Sequence, residues 1–249
     1  MTDATIDLNA DLGEGMAGDA DLLAVVSSCS VACGGHAGDA VSMARTLRAA
    51  RAANVAAGAH PSYPDREGFG RVSLDLDEAS LRAALTTQVA ALRGVAARES
   101  ATLVHLKPHG ALYNDAARRG DLAALIATLT AELLPGAALI GPPSSALEDA
   151  ARARGVRFLA EGFADRAYRA DGTLVPRAEP GAVIGGAERP ARAVRLATTG
   201  ALEAVTGEIV SLPVGTICLH GDSPDAGAAA RAVRAALEAA GVTVAAPLA

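Results

Sequence analysis

The chain has 249 residues, of which 51% are hydrophobic, 20% charged and only 2% aromatic, with no tryptophan. Its length suits one large core, and because an α/β barrel of this size commonly stays whole, residues 1–249 are read as a single domain. A formal net charge of -6 argues against general nucleic-acid binding, which relies on a basic surface, and the scarcity of rings leaves no platform for stacking bases or sugars.

Near the N-terminus Asp3 and Asp7 flank a single isoleucine, unlike the basic and apolar start of a signal peptide. No apolar run reaches membrane-spanning length, so a cytoplasmic location with no membrane partner is expected. Cys29, Cys33 and Cys218 are too few for a disulfide framework and read as reduced thiols, with room for one of them to line a pocket.

In chain order, Ile6 to Leu12 reads as a strand whose Asp7, Asn9 and Asp11 share one face at period two. A second strand runs into the glycine-rich bend of Ser30-Val-Ala-Cys-Gly-Gly-His36, followed by a helix over Asp39 to Ala53. Val55 to Ala59 is a short strand delivering His60 to a polar connection, residues 61–72, long enough to suggest a lid or a surface excursion. Asp75 with Glu78 resembles a helix start, and Leu81, Leu85, Val89 and Leu92 form that helix's buried stripe.

A fourth strand lies in Thr102-Leu-Val-His-Leu-Lys-Pro-His109, ahead of a helix over Asp121 to Leu134. Gly136 to Gly141 and Val156 to Phe163 read as strands five and six, with a helix between them stopped by Gly155. A long polar region over 164–177 follows, then a helix from Pro190 to about Val205. Thr216 to Leu219 is the seventh strand, an alanine-rich helix runs from Pro224 to Gly241, and Val242 to Ala246 is an eighth strand or a terminal brace. Strand, polar turn and helix recur seven times. The expected fold is a parallel sheet covered by helices and closed into a (β/α) barrel, with an open doubly wound sheet as the alternative.

In either fold the carboxyl ends of the strands share one side. Collected there are Asn9, Asp11 and Glu14, then His36, Asp39 and His60, then His105, Lys107 and His109, then Glu161, Asp165 and Arg166, and finally His220 with Asp222. None of the five histidines falls on a predicted exposed helix, which points to a shared pocket. Asp39 alone reads as a helix cap, and a lone strand histidine is more often structural than catalytic. Carboxylates buried here need cations, histidines or a metal as partners. Lys107, flanked by Leu106 and Pro108, is suited to a substrate carboxylate, a phosphoryl group or an aspartate.

Asp and His side chains are suitable ligands for a divalent metal, but no short-range pattern such as HExxH is present, so no ligand set is assigned. There is also no GxxxxGK(S/T) loop. Phosphates of a nucleotide would be held by turn amides, by Lys107, Arg71 or Arg166, or by another subunit.

Several segments together resemble the LamB/YcsF family: Asp7-Leu-Asn-Ala-Asp-Leu-Gly-Glu14, Ala32-Cys-Gly-Gly-His-Ala-Gly-Asp39, Gly58-Ala-His-Pro-Ser-Tyr-Pro-Asp65, Gly68-Phe-Gly-Arg71, Lys107-Pro-His-Gly-Ala-Leu-Tyr-Asn114, Phe163-Ala-Asp-Arg-Ala-Tyr168 and Cys218-Leu-His-Gly-Asp222. The resemblance spans nearly the full chain. It implies a distorted seven-stranded barrel of the glycoside hydrolase/deacetylase type and ATP-dependent opening of 5-oxo-L-proline to L-glutamate, with ATP and Mg2+ as co-substrate and two companion subunits, B and C. Two departures stand out: Gly35, where the family usually carries an aromatic residue, and Met16-Ala17, where Phe-Gly is common. Loss of the ring is expected to enlarge the pocket.

A lactam is a stabilised amide, so its opening needs donors for an oxyanion and a proton for the departing nitrogen. On that chemistry Asp11, His60, Lys107, His109, His220 and Asp222 are the catalytic candidates: Lys107 and His109 near the activated oxygen, Asp11 or Asp222 beside water, His220 or His60 as proton carrier. Asn9, Glu14, His36, Arg71, Asp165 and Arg166 are the substrate-binding candidates. The alternatives are a metal-dependent amidase or carbohydrate deacetylase acting without ATP, and a non-catalytic 5-oxoproline-binding subunit.

Overall fold

The computed structural model describes residues 4–221 and 226–246. The first half of the chain alternates β1 (Thr5–Leu12), α1 (Asp19–Leu23), β2 (Ser28–Ala32), α2 (Ala40–Ala52), β3 (Ala56–His60), α3 (Glu78–Arg98), β4 (Leu103–Leu106), α4 (Gly110–Arg118) and α5 (Gly120–Leu133). It continues through β5 (Ala138–Gly141), α6 (Ala146–Arg154), β6 (Phe158–Phe163), α7 (Arg189–Thr199), the β7 (Ala201–Glu203) and β8 (Ile209–Ser211) hairpin, β9 (Thr216–Cys218), α8 (Ala226–Ala239) and β10 (Thr243–Val244). Strands β1 to β6 pair in sequence order and in parallel, and β9 pairs with both β6 and β1. Seven parallel strands therefore close into a barrel, which removes the free edges of that ring. The terminal segment is a brace as well as a strand, since β10 takes Thr5 and Ile6 of β1 and leaves Asp7 to Asn9 for β9.

Alternation along β1 sends Ile6, Leu8, Ala10 and Leu12 into the hydrophobic core and Asp7, Asn9 and Asp11 to the opposite face. Contacts across the ring place that second face inside the barrel: Asn9 Nδ2 donates to Glu161 Oε1 of β6 at 3.0 Å and to Thr216 Oγ1 of β9 at 2.7 Å. At the lower end Asp7 accepts from Ser27, Ser28 and Thr216 hydroxyls. Burial raises its pKa, and those three hydrogen bonds offset part of the shift. The Ala, Val, Leu and Ile of the composition thus fill the space between sheet and helices, while the barrel interior is polar.

Between β3 and β4 the register slips, with β4 advancing from Leu103 to Leu106 while β3 advances from Ala57 to Ala59. This bulge sets His105 and then Lys107 on the inner face. His105 Nε2 meets Ser30 Oγ at 3.1 Å, and its ring occupies the room over Gly58, where any Cβ would overlap it.

Several boundaries differ from expectation. Asp77 rather than Asp75 caps α3, accepting from Ser80 N at 2.8 Å. Helix α7 stops at Thr199 because Gly200 takes a left-handed conformation with φ 60°, and residues 201–211 turn back as the β7–β8 hairpin instead of continuing to Val205. The polar region after β6 is ordered around a small cluster of Ala167, Val175 and Ala182. Among the described residues no helix is long and apolar enough to cross a membrane.

Replacing Gly58 by alanine forces the His105 ring aside and is expected to lower unfolding stability by about 1–3 kcal/mol, the usual cost of overpacking; an unchanged urea midpoint would contradict the packing. Burial pushes the His105 pKa down to about 3 from 6.5. Its contribution to stability is therefore complete above about pH 6.5 and is lost as pH falls toward 3, where the unfolded chain binds the proton first. A His105→Gln variant should show a shallower loss of urea midpoint between pH 6.5 and 4 than the parent chain, and an identical slope would show that His105 is not held neutral.

Candidate active site

At the carboxyl end of the barrel, the Lys107 ammonium lies 3.0 Å from Asp11 Oδ1 and 2.7 Å from Glu161 Oε1, and it donates to Asn9 Oδ1 at 3.2 Å and Cys218 Sγ at 3.3 Å. Burial alone would lower its pKa, but the opposing charges, Asp11 first, hold it well above the ordinary lysine value. Three protons facing four partners leave Lys107 engaged within the protein. Asp11 is the reciprocal case: burial favours its neutral form, yet His60 and then Lys107 hold its pKa well below that of a free carboxylate.

Three histidines come next. His60 closes β3, and its Nδ1 faces the Lys107 carbonyl at 2.8 Å while Nε2 lies 3.3 Å from Asp11 Oδ2 and 2.9 Å from His109 Nδ1. Despite burial its pKa is raised, chiefly by Asp11 and by a hydrogen bond to it, with Glu14 adding to the effect. His109 is the N-cap residue of α4, and its Nε2 faces the Phe69 carbonyl at 3.0 Å. A carbonyl only accepts, so both rings carry a proton on the nitrogen that faces it. His36 lies flat on His109, centroids 3.7 Å apart and planes within 3°, with Nε2 at 2.9 Å from Glu14 Oε1. Burial, followed by the charge of His60, pushes both His36 and His109 down to about 3, so these two rings are neutral. Burial also raises the Glu14 pKa, bringing this carboxyl nearer to the range useful for proton transfer.

The 61–72 connection is bound across this mouth. Arg66 Nη1 donates to the Gly34 and Gly38 carbonyls, both at 2.9 Å, Tyr63 donates its hydroxyl to Asp115 at 3.1 Å, and Ala111 N donates to Gly70 O at 2.9 Å. Phe69 is a non-glycine residue at φ 54°, a left-handed conformation that costs roughly 1–3 kcal/mol and persists when surrounding contacts over-determine it. It directs the carbonyl onto His109. Gly70, at φ 62°, has His109 Cδ2 and His36 Cβ 3.0 Å from where a Cβ would be.

Gln88 of α3 pairs with both polar groups of the Ser62 backbone, accepting from N at 3.0 Å and donating to O at 2.8 Å. Gln88 and Ser62 also occupy the place a side chain at Gly35 would take. The expected enlargement at Gly35 is therefore absent, because two polar side chains fill that room. Sequence reasoning misses Gln88, although a lone amide three residues beyond Leu85 on the buried stripe of α3 is the signal that marks it.

The structure thus joins Asn9, Asp11, Glu14, His36, His60, Lys107 and His109 in one network, with Glu161 and Cys218 added. The sequence places Glu161 at a strand end but assigns it no role. His220 and Asp165 form a separate pair at 2.6 Å, with His220 stacked on Phe163 at 5.6 Å. Arg71 sits over the Phe69 ring at 5.1 Å. Arg166 turns toward its own loop and donates to the Val175 and Ala182 carbonyls, while Asp39 caps α2. Asp222 lies outside the described residues. Side-chain exposure separates an inner layer, Lys107 at 4% and Glu161 at 0%, from groups open to a ligand, Asp11 at 20%, Glu14 at 10% and His220 at 22%. Glu14, His36, His60 and His109 bring one donor atom each within 4.8 Å of the others, so they are the described residues placed to hold a metal ion. The cysteines are free and buried; burial raises Cys29 and Cys33 to about 12 and Cys218 well above its ordinary value, which keeps the thiols protonated.

The profile of the LamB/YcsF family matches residues 6–249. The chain is similar to a Nocardia farcinica protein named as the A subunit of 5-oxoprolinase, 46% identical over 244 residues that cover 96% of this chain and 98% of the relative. A Methylococcus capsulatus protein of the same name is 47% identical over 248 residues, covering 97% of this chain and 95% of the relative. The crystal structure of the lactam utilization protein from Thermus thermophilus matches with a TM-score of 0.91 at 40% identity, covering 97% of this chain and 99% of that one. Matched from Ile6 onward and along nearly the whole length of these relatives, the chain belongs to the LamB/YcsF family.

Proposed function

We propose that the chain is the A subunit of an ATP-dependent 5-oxoprolinase, a single catalytic barrel that opens 5-oxo-L-proline to L-glutamate in a cytoplasmic complex with subunits B and C. The observation carrying this reading is the near full-length match to two proteins named as the A subunit of 5-oxoprolinase, combined with acid, base and cationic groups at the barrel mouth. ATP, with Mg2+, is the co-substrate of the assembly. Transfer of its γ-phosphoryl group to the lactam oxygen leaves ADP and a reactive imidate carbon. One water then adds to that carbon, the ring C–N bond breaks to give the amine and an acyl phosphate, and a second water releases phosphate and the carboxylate.

Roles follow from charge and exposure. Lys107 acts as a positioning residue that keeps Asp11 ionised. The positive charge centred at His60, itself buried, acts through the bonded His109 on the oxygen where charge develops. Glu14, largely buried but reaching the mouth, with a pKa raised by that burial, takes a proton from the attacking water, and Asp11 orients that water. His220 gives its Nδ1 proton to a hydrogen bond with Asp165, which leaves Nε2 to carry a proton to the departing nitrogen. Arg71, with its guanidinium over Phe69, meets the substrate carboxylate, and Asn9, His36 and Arg166 order the surrounding groups. A metal-dependent amidase or carbohydrate deacetylase is the second reading, favoured by the convergent histidines and Glu14.

The test is reconstitution with subunits B and C, following glutamate and phosphate formed from 5-oxo-L-proline and ATP. Omitting this chain should abolish product, and Glu14→Gln should lower kcat by about 10²–10⁴-fold, the range for a lost general base, without loss of assembly. Undiminished turnover without this chain would refute the assignment. Turnover by the isolated chain without ATP would favour the second reading.

A further inference from the structure

We propose that Glu14, His36, His60 and His109 form a binding site for one first-row divalent transition-metal cation of the zinc class. The donor spacing is the first argument. Glu14 Oε1 lies 2.9 Å from His36 Nε2, 3.7 Å from His60 Nε2 and 3.4 Å from His109 Nδ1, and the last two nitrogens are 2.9 Å apart. Four donors around a tetrahedral zinc, with bonds of about 2.0–2.1 Å, stand about 3.3 Å from one another. These four separations scatter about that edge, and all six lie within 4.8 Å; the His36 ring, stacked parallel on His109, tilts to bring its Nε2 onto the same ion.

The second argument is which way the rings are held. His60 Nδ1 is fixed on the Lys107 carbonyl and His109 Nε2 on the Phe69 carbonyl. Each outer nitrogen therefore keeps its hydrogen, and each inner nitrogen turns its lone pair toward Glu14 once the ring is neutral. Metal-ligating imidazoles are oriented by such outer hydrogen bonds. Phe69 reaches His109 through a left-handed backbone, so the orienting contact is built at some conformational expense. His36 supplies the third nitrogen through Nε2, and its buried Nδ1 has no hydrogen-bond partner among the described residues.

Charge is the third argument. Asp11, Glu14 and Glu161 surround this end of the barrel, and within it Lys107 pairs with Asp11 and Glu161, while Glu14 lies against the imidazoles of His36, His60 and His109. A divalent cation placed among these donors satisfies three nitrogens and a carboxylate together. Three imidazoles and one carboxylate suit zinc, cobalt, nickel or iron better than magnesium or calcium, which favour all-oxygen shells. Asp11 Oδ2, 3.3 Å from His60 Nε2, borders the site on its more exposed side. Binding of the cation does not depend on the reaction assigned above, and failure to bind would leave that assignment standing.

The experiment uses tag-free chain stripped with chelator and titrated with Zn2+, read by metal content after gel filtration and by melting temperature, with Co2+ as a spectroscopic probe. One equivalent should bind, the melting temperature should rise with Zn2+ concentration, and Co2+ should give the intense visible bands of a low-coordinate site. Glu14→Gln and His36→Ala, each checked for unchanged circular dichroism, should weaken Zn2+ binding at least about 100-fold, beyond the 10–100-fold typical of losing an outer-shell partner. His105→Gln, outside the cluster, should retain one equivalent. Substoichiometric binding by the folded parent chain, or one equivalent that persists in both Glu14→Gln and His36→Ala, would overturn the proposal. Should His36→Ala fail to fold, the Glu14→Gln titration alone decides.

Discussion

The buried ammonium of Lys107 is the interaction on which the rest of the barrel mouth depends. It stands just beyond β4 and reaches Asp11 and Asn9 of β1, Glu161 of β6 and Cys218 of β9, linking strands that do not pair with β4. An ion in such a place is costly to desolvate, and only the combination of opposing charge and hydrogen bonds offsets that cost. Asp11 and Glu161 supply the first, Asn9 and Cys218 the second. The network therefore ties barrel closure to the charge state of the site.

From this one ammonium the electrostatics propagate outward. Lys107 helps keep Asp11 ionised, Asp11 raises the His60 pKa, and the charge of His60 adds to burial in keeping His36 and His109 neutral. Neighbouring imidazoles of identical type thus take different protonation states, the separation of roles that acid–base sites use. The surrounding connection serves the same end. Gln88 holds Ser62, Arg66 holds the Gly34 and Gly38 carbonyls, and Phe69 presents its own carbonyl to His109. The 61–72 segment is consequently a bound cover rather than a loose excursion.

Much of this was legible in the sequence because it obeys local rules. Period two on β1 placed Asp7, Asn9 and Asp11 on one face, and of the five histidines read at strand ends the structure joins three, His36, His60 and His109, at the mouth. The apolar stripe Leu81, Leu85, Val89 and Leu92 is buried as read. What escaped depends on relations between distant segments. The β4 bulge that turns Lys107 inward arises from pairing with β3, the Gln88 grip on Ser62 spans helix and loop, and the left-handed Phe69 is stable only under the contacts of the folded mouth. Arg166 follows a strand, as read, but its hydrogen bonds to the Val175 and Ala182 carbonyls depend on a loop that folds back on itself. The extension of α7 to Val205 overlooked the stop at Gly200.

The most direct test of the Lys107 network is an unfolding cycle on Lys107→Met, Asp11→Asn with Glu161→Gln, and the three together. Removing the lysine alone strands two carboxylates in the barrel and should cost about 3–5 kcal/mol, the range for breaking a buried pair. Neutralising all three groups should recover a large part of that loss, because the stranded charges are gone. A triple variant destabilised by the full sum of its parts would show that the three groups contribute independently, and would contradict a mouth organised around one buried ammonium.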